Sequence, residues 1–137
     1  RMQHSPPITV SSLDTARLYR LLDREAYRHQ PGADALRDEL DRATTVAPSD
    51  MPPGVVTMNS TVRFIDDSNG AVFELKLVYP ESSGVPGTVS VLAPIGSALL
   101  GLSVGQAIPW QVPGGRQITV RVLDVLMQPE AMGDYVS

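Results

Sequence analysis

A proline-rich stretch, residues 48–54, divides the chain into two parts that differ in charge and in glycine content. Proline lacks the amide hydrogen that a helix needs, so no regular helix continues through this stretch. Residues 1–50 carry seven arginines and eight acidic residues, and Gly32 is the only glycine before the stretch. Residues 51–137 carry four basic and seven acidic residues and the other ten glycines. We therefore expect two domains, residues 1–50 and residues 51–137.

The first part has the periodicity of two amphipathic helices. The stripe of the first consists of Thr15, Leu18, Tyr19, Leu22 and Ala26, and that of the second of Leu36, Leu40, Ala43 and Ala47. Ser11 or Ser12 can cap the first helix, and residues 30–33 break it. Asp34 can cap the second helix. A four-residue connection makes the helices antiparallel. Helices of about 17 residues would form a short coiled-coil hairpin roughly 25 Å long, and so narrow a stripe needs support from the second domain.

The second part alternates apolar and polar residues, as half-buried β-strands do. Residues 60–65 and 71–78 flank a turn-forming sequence, which indicates a β-hairpin. The further predicted elements are a strand at 88–92, a short helix at 97–100, and a closing hairpin of strands 107–112 and 116–126 around a turn at 113–115. The side chains predicted to choose the buried face are Val62, Phe64, Val72 or Phe73, Leu75 and Leu77. We predict an α+β domain of antiparallel strands with one short helix on a face.

Composition excludes several classes of function. The net charge of −4 and the pI of about 5.0 provide no basic surface for nucleic-acid phosphates, so direct or sequence-specific nucleic-acid binding is not expected. The absence of cysteine excludes disulfides, thiolate nucleophiles and cysteine-ligated zinc, and it suits a reducing cytoplasm. No apolar run approaches the roughly 20 residues of a membrane helix, and the first residues lack the apolar centre of a signal peptide. We expect a cytoplasmic protein.

The sequence offers little for catalysis. The chain has two histidines, His4 in a terminal stretch and His29 at the predicted hairpin tip, and its carboxylates show no metal-ligand spacing. The glycine pair at 114–115 lies between two predicted strands, where it indicates a turn rather than a phosphate-binding loop. We therefore predict a protein that is not an enzyme and has no metal or cofactor of its own.

Two exposed features remain as candidate sites. The predicted tip carries His29, Gln30, Asp34 and Asp38. Its acids could reach a metal or a cationic group in a partner, but spacing alone favours a capping Asp34 with solvated neighbours. The second candidate is the turn formed by Ala93, Pro94, Ile95, Gly96 and Ser97. This turn presents backbone and an apolar side chain at a strand end, so it is a contact candidate as well as a structural turn.

The sequence around this turn, VSVLAPIGSALLGLSVGQ, resembles the C-terminal domain of Gre-type transcription elongation factors. There a strand enters a Ser-Pro-(Leu/Ile)-Gly turn, followed by Ala-Leu-(Leu/Ile)-Gly and then by Val-Gly and an acid. Residues 54–82 resemble the opening of that domain, and VPGGRQITVRVLDV resembles its closing hairpin. The resemblance covers residues 54–126 in order. It implies an FKBP-like sheet domain behind an N-terminal antiparallel coiled coil, and docking at the secondary channel of RNA polymerase.

Three departures separate the chain from cleavage factors of this family. The hairpin is much shorter, the tip lacks their Asp and Glu three residues apart, and Ala93 replaces the usual serine of the Pro-Gly turn. These features are similar to the nucleoside diphosphate kinase regulator (Rnk) branch. The resemblance therefore implies polymerase docking through residues 93–97 in this chain, but it does not imply transcript cleavage. An FKBP-like fold also suggests prolyl isomerase activity. We do not expect it, because such enzymes need an aromatic-walled pocket and aromatic residues make up only 5% of the chain.

The leading hypothesis is a monomeric, non-catalytic regulator that binds RNA polymerase at the rim of the secondary channel and competes with Gre-type factors by occupancy. A second hypothesis is a regulator of nucleoside diphosphate kinase activity or abundance that acts without polymerase. A third is a true cleavage factor that uses Asp34 and Asp38. Hairpin length disfavours the third, and nothing in the sequence separates the first two.

Overall fold

The computed structural model describes residues 6–111 and 114–136, so Val112 and Pro113 of the predicted closing hairpin lie outside the described residues. In chain order the elements are β1 (Thr9–Ser11), α1 (Ser12–Leu22), α2 (Pro31–Arg42), β2 (Thr44–Val46), β3 (Thr61–Asp66), β4 (Ala71–Val78), β5 (Thr88–Ser90), α3 (Pro94–Leu99), β6 (Ala107–Gln111) and β7 (Gln117–Met127), with 3₁₀ turns at Pro48–Asp50, Pro80–Ser82 and Glu130–Met132. No helix among the described residues is long and apolar enough to cross a membrane.

The second part of the chain folds into a five-stranded sheet with the order β5-β4-β3-β7-β6. Both predicted hairpin pairings are present, because β3 is antiparallel to β4 and β6 is antiparallel to β7. The prediction that all strands are antiparallel is wrong at one edge, where β5 runs parallel to β4. The chain after β4 turns through Pro80–Ser82 and comes back alongside the C-terminal half of β4, where the Lys76 N–H donates to the Gly87 carbonyl at 2.8 Å. The sheet is therefore mixed, in an α+β fold.

The first part contains the two predicted helices with different bounds. Ser11 is the N-cap of α1, and its Oγ accepts from the Asp14 N–H at 3.0 Å. The helices have 11 and 12 residues rather than about 17, and residues 23–30 rather than 30–33 connect them. The predicted cap Asp34 is wrong, since Gln30 precedes α2 and Asp34 lies in its first turn. Proline is favoured in the first turn of a helix, so Pro31 begins α2 instead of ending α1.

A two-stranded parallel sheet, β1 with β2, closes the base of the helical segment. This sheet was not predicted, since three-residue strands are too short to show alternation in the sequence. The Thr44 N–H donates to the Ile8 carbonyl at 2.9 Å, and the Thr9 N–H donates to the Gly101 carbonyl at 3.2 Å. The two ends of the helical segment are therefore fixed side by side and are tied to the turn after α3.

One hydrophobic core joins the helices to the sheet, which agrees with the expectation that the helical segment leans on the second part of the chain. Its members from the helices are Leu18, Leu21, Leu22, Ala33, Leu36 and Leu40, and its members from the sheet and α3 include Val62, Leu77, Leu99, Ile118, Val120 and Val122. The start of α2 approaches the sheet region so closely that a Cβ on Gly32 would lie 1.9 Å from the Leu92 carbonyl oxygen.

Candidate functional site

The predicted contact turn forms the start of α3. Ala93 is the N-cap and Pro94 is the first helical residue. Pro94 is exposed and Ile95 is half-buried, whereas Gly96 and Ser97 are buried. A Cβ on Gly96 would lie 2.0 Å from the Ser90 carbonyl oxygen, so only glycine fits there. The outward-facing residues of the turn are therefore Pro94 and Ile95, and the last two predicted contact residues hold the turn in place.

Ile95 lines an apolar cavity of about 250 Å³ between α3 and the sheet. The other lining residues are Phe64, Phe73, Leu75 and Trp110. The sheet register places Phe64 opposite Phe73, and their stacked rings have centroids 5.4 Å apart. We call this space the Ile95 cavity. It brings one end of α3 together with side chains from β3, β4 and β6.

The Ile95 cavity was not predicted, and the expectation that aromatic residues are too few to wall a pocket is wrong. The fold gathers three of its aromatic side chains there, although the strands that carry them are distant in sequence. Phe73 belongs to the same alternating set as Leu75 and Leu77, but 46% of its surface remains exposed at the rim. That alternation is the sequence signal that could have located the cavity.

The size and lining of the Ile95 cavity limit what it can bind. Sites for whole small molecules have volumes of roughly 300–1,000 Å³, and this cavity is smaller. Its five lining side chains carry no charge, and only the Trp110 ring carries a polar atom. Such a space fits one apolar side chain of a partner surface, and an exposed aromatic rim is typical of protein contact sites.

The residues of the predicted tip do not join the Ile95 cavity in one site. His29 is exposed, with its Nε2 4.0 Å from a Glu25 carboxylate oxygen, and the Gln30 side chain donates to the Ala26 carbonyl at 3.1 Å. Asp34 and Asp38 are exposed one turn apart on α2. Among the described residues, no group of three or more His, Cys, Asp or Glu side chains could hold a metal ion.

A buried polar cluster joins α1 to the segment before β3 and to the C-terminal region. Asp14 is 3% exposed, and its Oδ2 accepts from the Met58 N–H at 3.2 Å. The Thr57 hydroxyl donates to Glu130 at 2.7 Å. Burial raises the pKa of Asp14 to about 6, the Met58 hydrogen bond acts against this shift, and the nearby Glu130 carboxylate adds to it. We call these residues the Asp14 junction. Its buried charge was not predicted from the sequence.

Comparison with known proteins gives matches along nearly the whole chain. The family model "Transcription elongation factor, GreA/GreB, C-term" matches residues 51–127, and the model "Rnk N-terminus" matches residues 6–46. The chain is 48% identical over 132 residues to the "Regulator of nucleoside diphosphate kinase" of Escherichia coli (strain K12), covering 96% of this chain and 97% of that protein.

More distant relatives and a solved structure agree with these matches. The chain is 37% identical over 92 residues to the "Transcription elongation factor GreA" of Syntrophobacter fumaroxidans, covering 66% of this chain and 56% of that protein. The structure of a "Prokaryotic transcription elongation factor GreA/GreB from Nitrosomonas europaea" superimposes with a TM-score of 0.72 at 48% identity. That match covers 89% of this chain and 99% of the other.

Proposed function

Because the chain belongs to the GreA/GreB transcription elongation factor family, in its branch of regulators of nucleoside diphosphate kinase, we propose that it is a non-catalytic regulator that binds RNA polymerase. The protein docks at the rim of the secondary channel and competes with Gre-type factors for that place. It acts in the cytoplasm as a monomer. Its partner is the polymerase, so the acidic chain needs no nucleic-acid surface of its own.

The Ile95 cavity is the observation that carries this proposal. Pro94 and Ile95 lie on the turn that is similar in sequence to Gre factors, and Ile95 lines an apolar space with room for one side chain. Buried apolar anchors supply most of the energy of a protein interface, and a half-exposed aromatic rim such as Phe73 shields them from water. We assign the partner's anchoring side chain to this cavity.

Competition by occupancy agrees with the dimensions of the helical segment. Helices of 11 and 12 residues are about 17 Å long at about 1.5 Å per residue. They are shorter than the roughly 25 Å expected from the sequence, and α2 rests against Leu92. A segment held this way obstructs the entrance of a channel without placing acids deep inside it. Asp34 and Asp38 are therefore not assigned a catalytic role.

The test is a binding assay with core RNA polymerase by gel filtration and pull-down, followed by displacement of a bound Gre factor. The wild-type protein is compared with a Pro94→Ala/Ile95→Asp variant and with Phe73→Asp, which places a charge at the exposed rim. Both variants should lose the complex. Thermal unfolding verifies that each variant is folded, and Phe73→Asp is the safer of the two because its side chain is half-exposed.

Val85→Asp is the matched control, because Val85 is a 60% exposed apolar residue that does not line the cavity. It should bind polymerase as the wild type does. Failure of the wild-type protein to bind core polymerase, or to displace a Gre factor, contradicts the proposal. If Val85→Asp weakens polymerase binding as much as the two cavity variants do, the Ile95 cavity is not the anchor.

The name of the 48% identical relatives supports a second candidate, regulation of nucleoside diphosphate kinase without polymerase. The Ile95 cavity then anchors that enzyme or a factor that controls its abundance. The discriminating measurement is kinase activity with purified enzyme, with and without this protein, in the absence of polymerase. A change that Phe73→Asp abolishes supports the second candidate, and unchanged kinase activity together with a polymerase complex supports the first.

A further inference from the structure

The segment after β7, residues 128–136, runs from the end of that strand to α1 and is fixed there by hydrogen bonds of side chains. We call it the C-terminal strap. At its start Gln128 is 2% exposed, and its Nε2 donates to two backbone carbonyls of the segment before β3, each at 2.8 Å. At its end the Arg17 guanidinium donates to the Val136 carbonyl at 2.7 Å. Both ends of the strap are therefore held by parts of the chain that are distant in sequence.

The middle of the strap brings a second carboxylate to the Asp14 junction. Glu130 accepts from the Thr57 hydroxyl at 2.7 Å, and that hydroxyl also lies 2.7 Å from the Ser60 hydroxyl. Thr57 directly precedes Met58, whose N–H donates to Asp14 at 3.2 Å. The two carboxylates therefore bind neighbouring residues of one short segment, and each carries a hydrogen bond that holds a different element against it.

The titratable and charged groups that face Asp14 among the described residues come from three elements. Glu130 belongs to the strap, Arg17 to the next turn of α1, and Tyr79 directly follows β4. Burial raises the pKa of Asp14 to about 6, the Glu130 carboxylate adds to this rise, and the Arg17 guanidinium acts against it. Burial also raises the pKa of Tyr79 to about 12, so its hydroxyl is neutral where Asp14 titrates.

The charge on Asp14 affects two of the contacts that hold the strap. An ionised Asp14 repels the Glu130 carboxylate, which weakens the contact with Thr57. It also attracts the Arg17 guanidinium away from Val136, because residues three apart on a helix lie on the same face. Charges in a site largely removed from water interact more strongly than charges at the surface. A neutral Asp14 exerts neither effect.

We propose that the C-terminal strap is a proton-sensitive clasp, which is closed over α1 and Thr57 when Asp14 is neutral and is released when Asp14 is ionised. The closed strap adds a hold on α1 to those provided by Ser11 and Met58. Release exposes Glu130 and Arg17 to water. Neither state requires polymerase or another partner.

Acid favours the closed strap. The pKa of Asp14 is raised when the strap is closed, so the closed form binds the proton more tightly and loses this advantage as pH rises through about 6. Each pKa unit corresponds to a tenfold change, so a return to the ordinary value of 3.8 would lower the closed-to-open ratio by roughly 100-fold. Because other elements still cover Asp14 in the open form, we expect about a tenfold decrease between pH 5 and pH 7.5.

The test is amide hydrogen exchange of the full chain, followed by NMR at pH 5 and pH 7.5 and corrected for the intrinsic exchange rate at each pH. The reporters are the N–H groups of Met132, Gly133 and Asp134, which donate to carbonyls within the strap. A single turn does not persist in water on its own, so protection of these groups measures closure. Their protection factors should decrease about tenfold between the two pH values. They should also stay below that of the Val122 N–H, which is buried in the sheet.

Two variants and a matched control identify the group responsible. Asp14→Asn should abolish the pH dependence and leave the strap protected at both pH values. Glu130→Gln keeps an oxygen that accepts from Thr57 but removes the repulsion, so its decrease in protection should be smaller than that of the wild type. Asp23→Asn removes an exposed carboxylate at the end of the same helix, and it should behave as the wild type does.

Equal protection of the strap amides at pH 5 and pH 7.5 in the wild type overturns the proposal. A decrease in Asp14→Asn as large as that in the wild type does so too, and so does loss of the pH dependence in Asp23→Asn. Protection factors equal to that of Val122 would mean that the strap opens only when the whole chain unfolds, which also contradicts a clasp. None of these outcomes bears on polymerase binding.

Discussion

The carboxylate of Asp14 accepts the backbone N–H of Met58 at 3.2 Å and thereby fastens α1 to the segment that leads into β3. The contact spans the division near residue 50, and it is nearly inaccessible to solvent. Burying a carboxylate costs free energy that one backbone hydrogen bond only partly offsets. The Asp14 junction therefore connects the two parts of the chain, but its burial disfavours the charged form of Asp14.

Replacing Asp14 with Asn should stabilise the protein at neutral pH. The folded-state pKa is raised from 3.8 to about 6, so the native state binds more protons than the unfolded state between these values. The contribution of Asp14 to the free energy of unfolding therefore falls as pH rises through that window and is lowest above it. Asn still accepts from Met58 without a charge. We expect the free energy of unfolding of the variant to exceed that of the wild type by on the order of 1–3 kcal/mol at pH 7.5 and by much less at pH 4.

Urea unfolding of wild type and Asp14→Asn at pH 4 and pH 7.5 measures this gain. Asp38→Asn, at an exposed position of α2, is the control and should shift stability little at either pH. A gain of the same size at both pH values would show that ionisation of Asp14 is not its cause.

Replacing Gly32 with Ala should destabilise the protein by roughly 1–3 kcal/mol, because the new methyl group would overlap the Leu92 carbonyl oxygen. Gly54→Ala is the matched control, since its Cβ would meet Val104 at an ordinary 3.7 Å. Thermal or urea unfolding compares the two variants. If both lose the same stability, close packing of α2 against Leu92 is not what holds the helical segment in place.

Ser11→Ala should cost about 1 kcal/mol through loss of the N-cap hydrogen bond to Asp14. Ser12→Ala should be nearly neutral, because Ser12 is exposed within the first turn and alanine favours helix. Denaturant midpoints at constant slope distinguish the two. The opposite order would mean that the helix begins one residue later.

An Asp34→Asn/Asp38→Asn variant should bind and compete for polymerase as the wild type does, since both carboxylates are exposed on α2 and belong to no metal-ligand group among the described residues. Displacement of a Gre factor and a transcript cleavage assay are the measurements. Any wild-type cleavage that the double variant abolishes would restore the third hypothesis.

The strands were predictable where one face of the sheet is buried and the other is exposed to solvent. Burial alternates cleanly along residues 61–66 but not along residues 71–78, and the pairing of the two strands agrees with the prediction. The parallel pairing of β5 could not be predicted in this way, because alternation gives the faces of a strand and not its direction. The end of α1 at Leu22 was missed because residues 23–26 have acceptable helix propensity, and tertiary packing overrides propensity.

The sequence predicted the turn at residues 93–97 as the candidate site, but it did not predict the Ile95 cavity beside that turn. Pro94 and Ile95 carry a local signature that a single sequence shows, whereas Phe64 and Trp110 reach the same place only through the sheet order. The FKBP-like and coiled-coil descriptions remain predictions. Asp14 gave no signal of its burial, since an acid in the first turn of a helix is ordinarily a solvated partner of the helix dipole.

The absence of a side chain at Gly96 has a consequence for binding. Because Gly96 packs so closely on Ser90 that a Cβ would lie 2.0 Å from the Ser90 carbonyl oxygen, the Pro94–Ile95 turn is held against the end of β5. A pre-organised turn loses little conformational entropy on association and needs no folding step. The encounter is then close to rigid-body docking, and weaker contacts change how long the complex lasts more than how fast it forms.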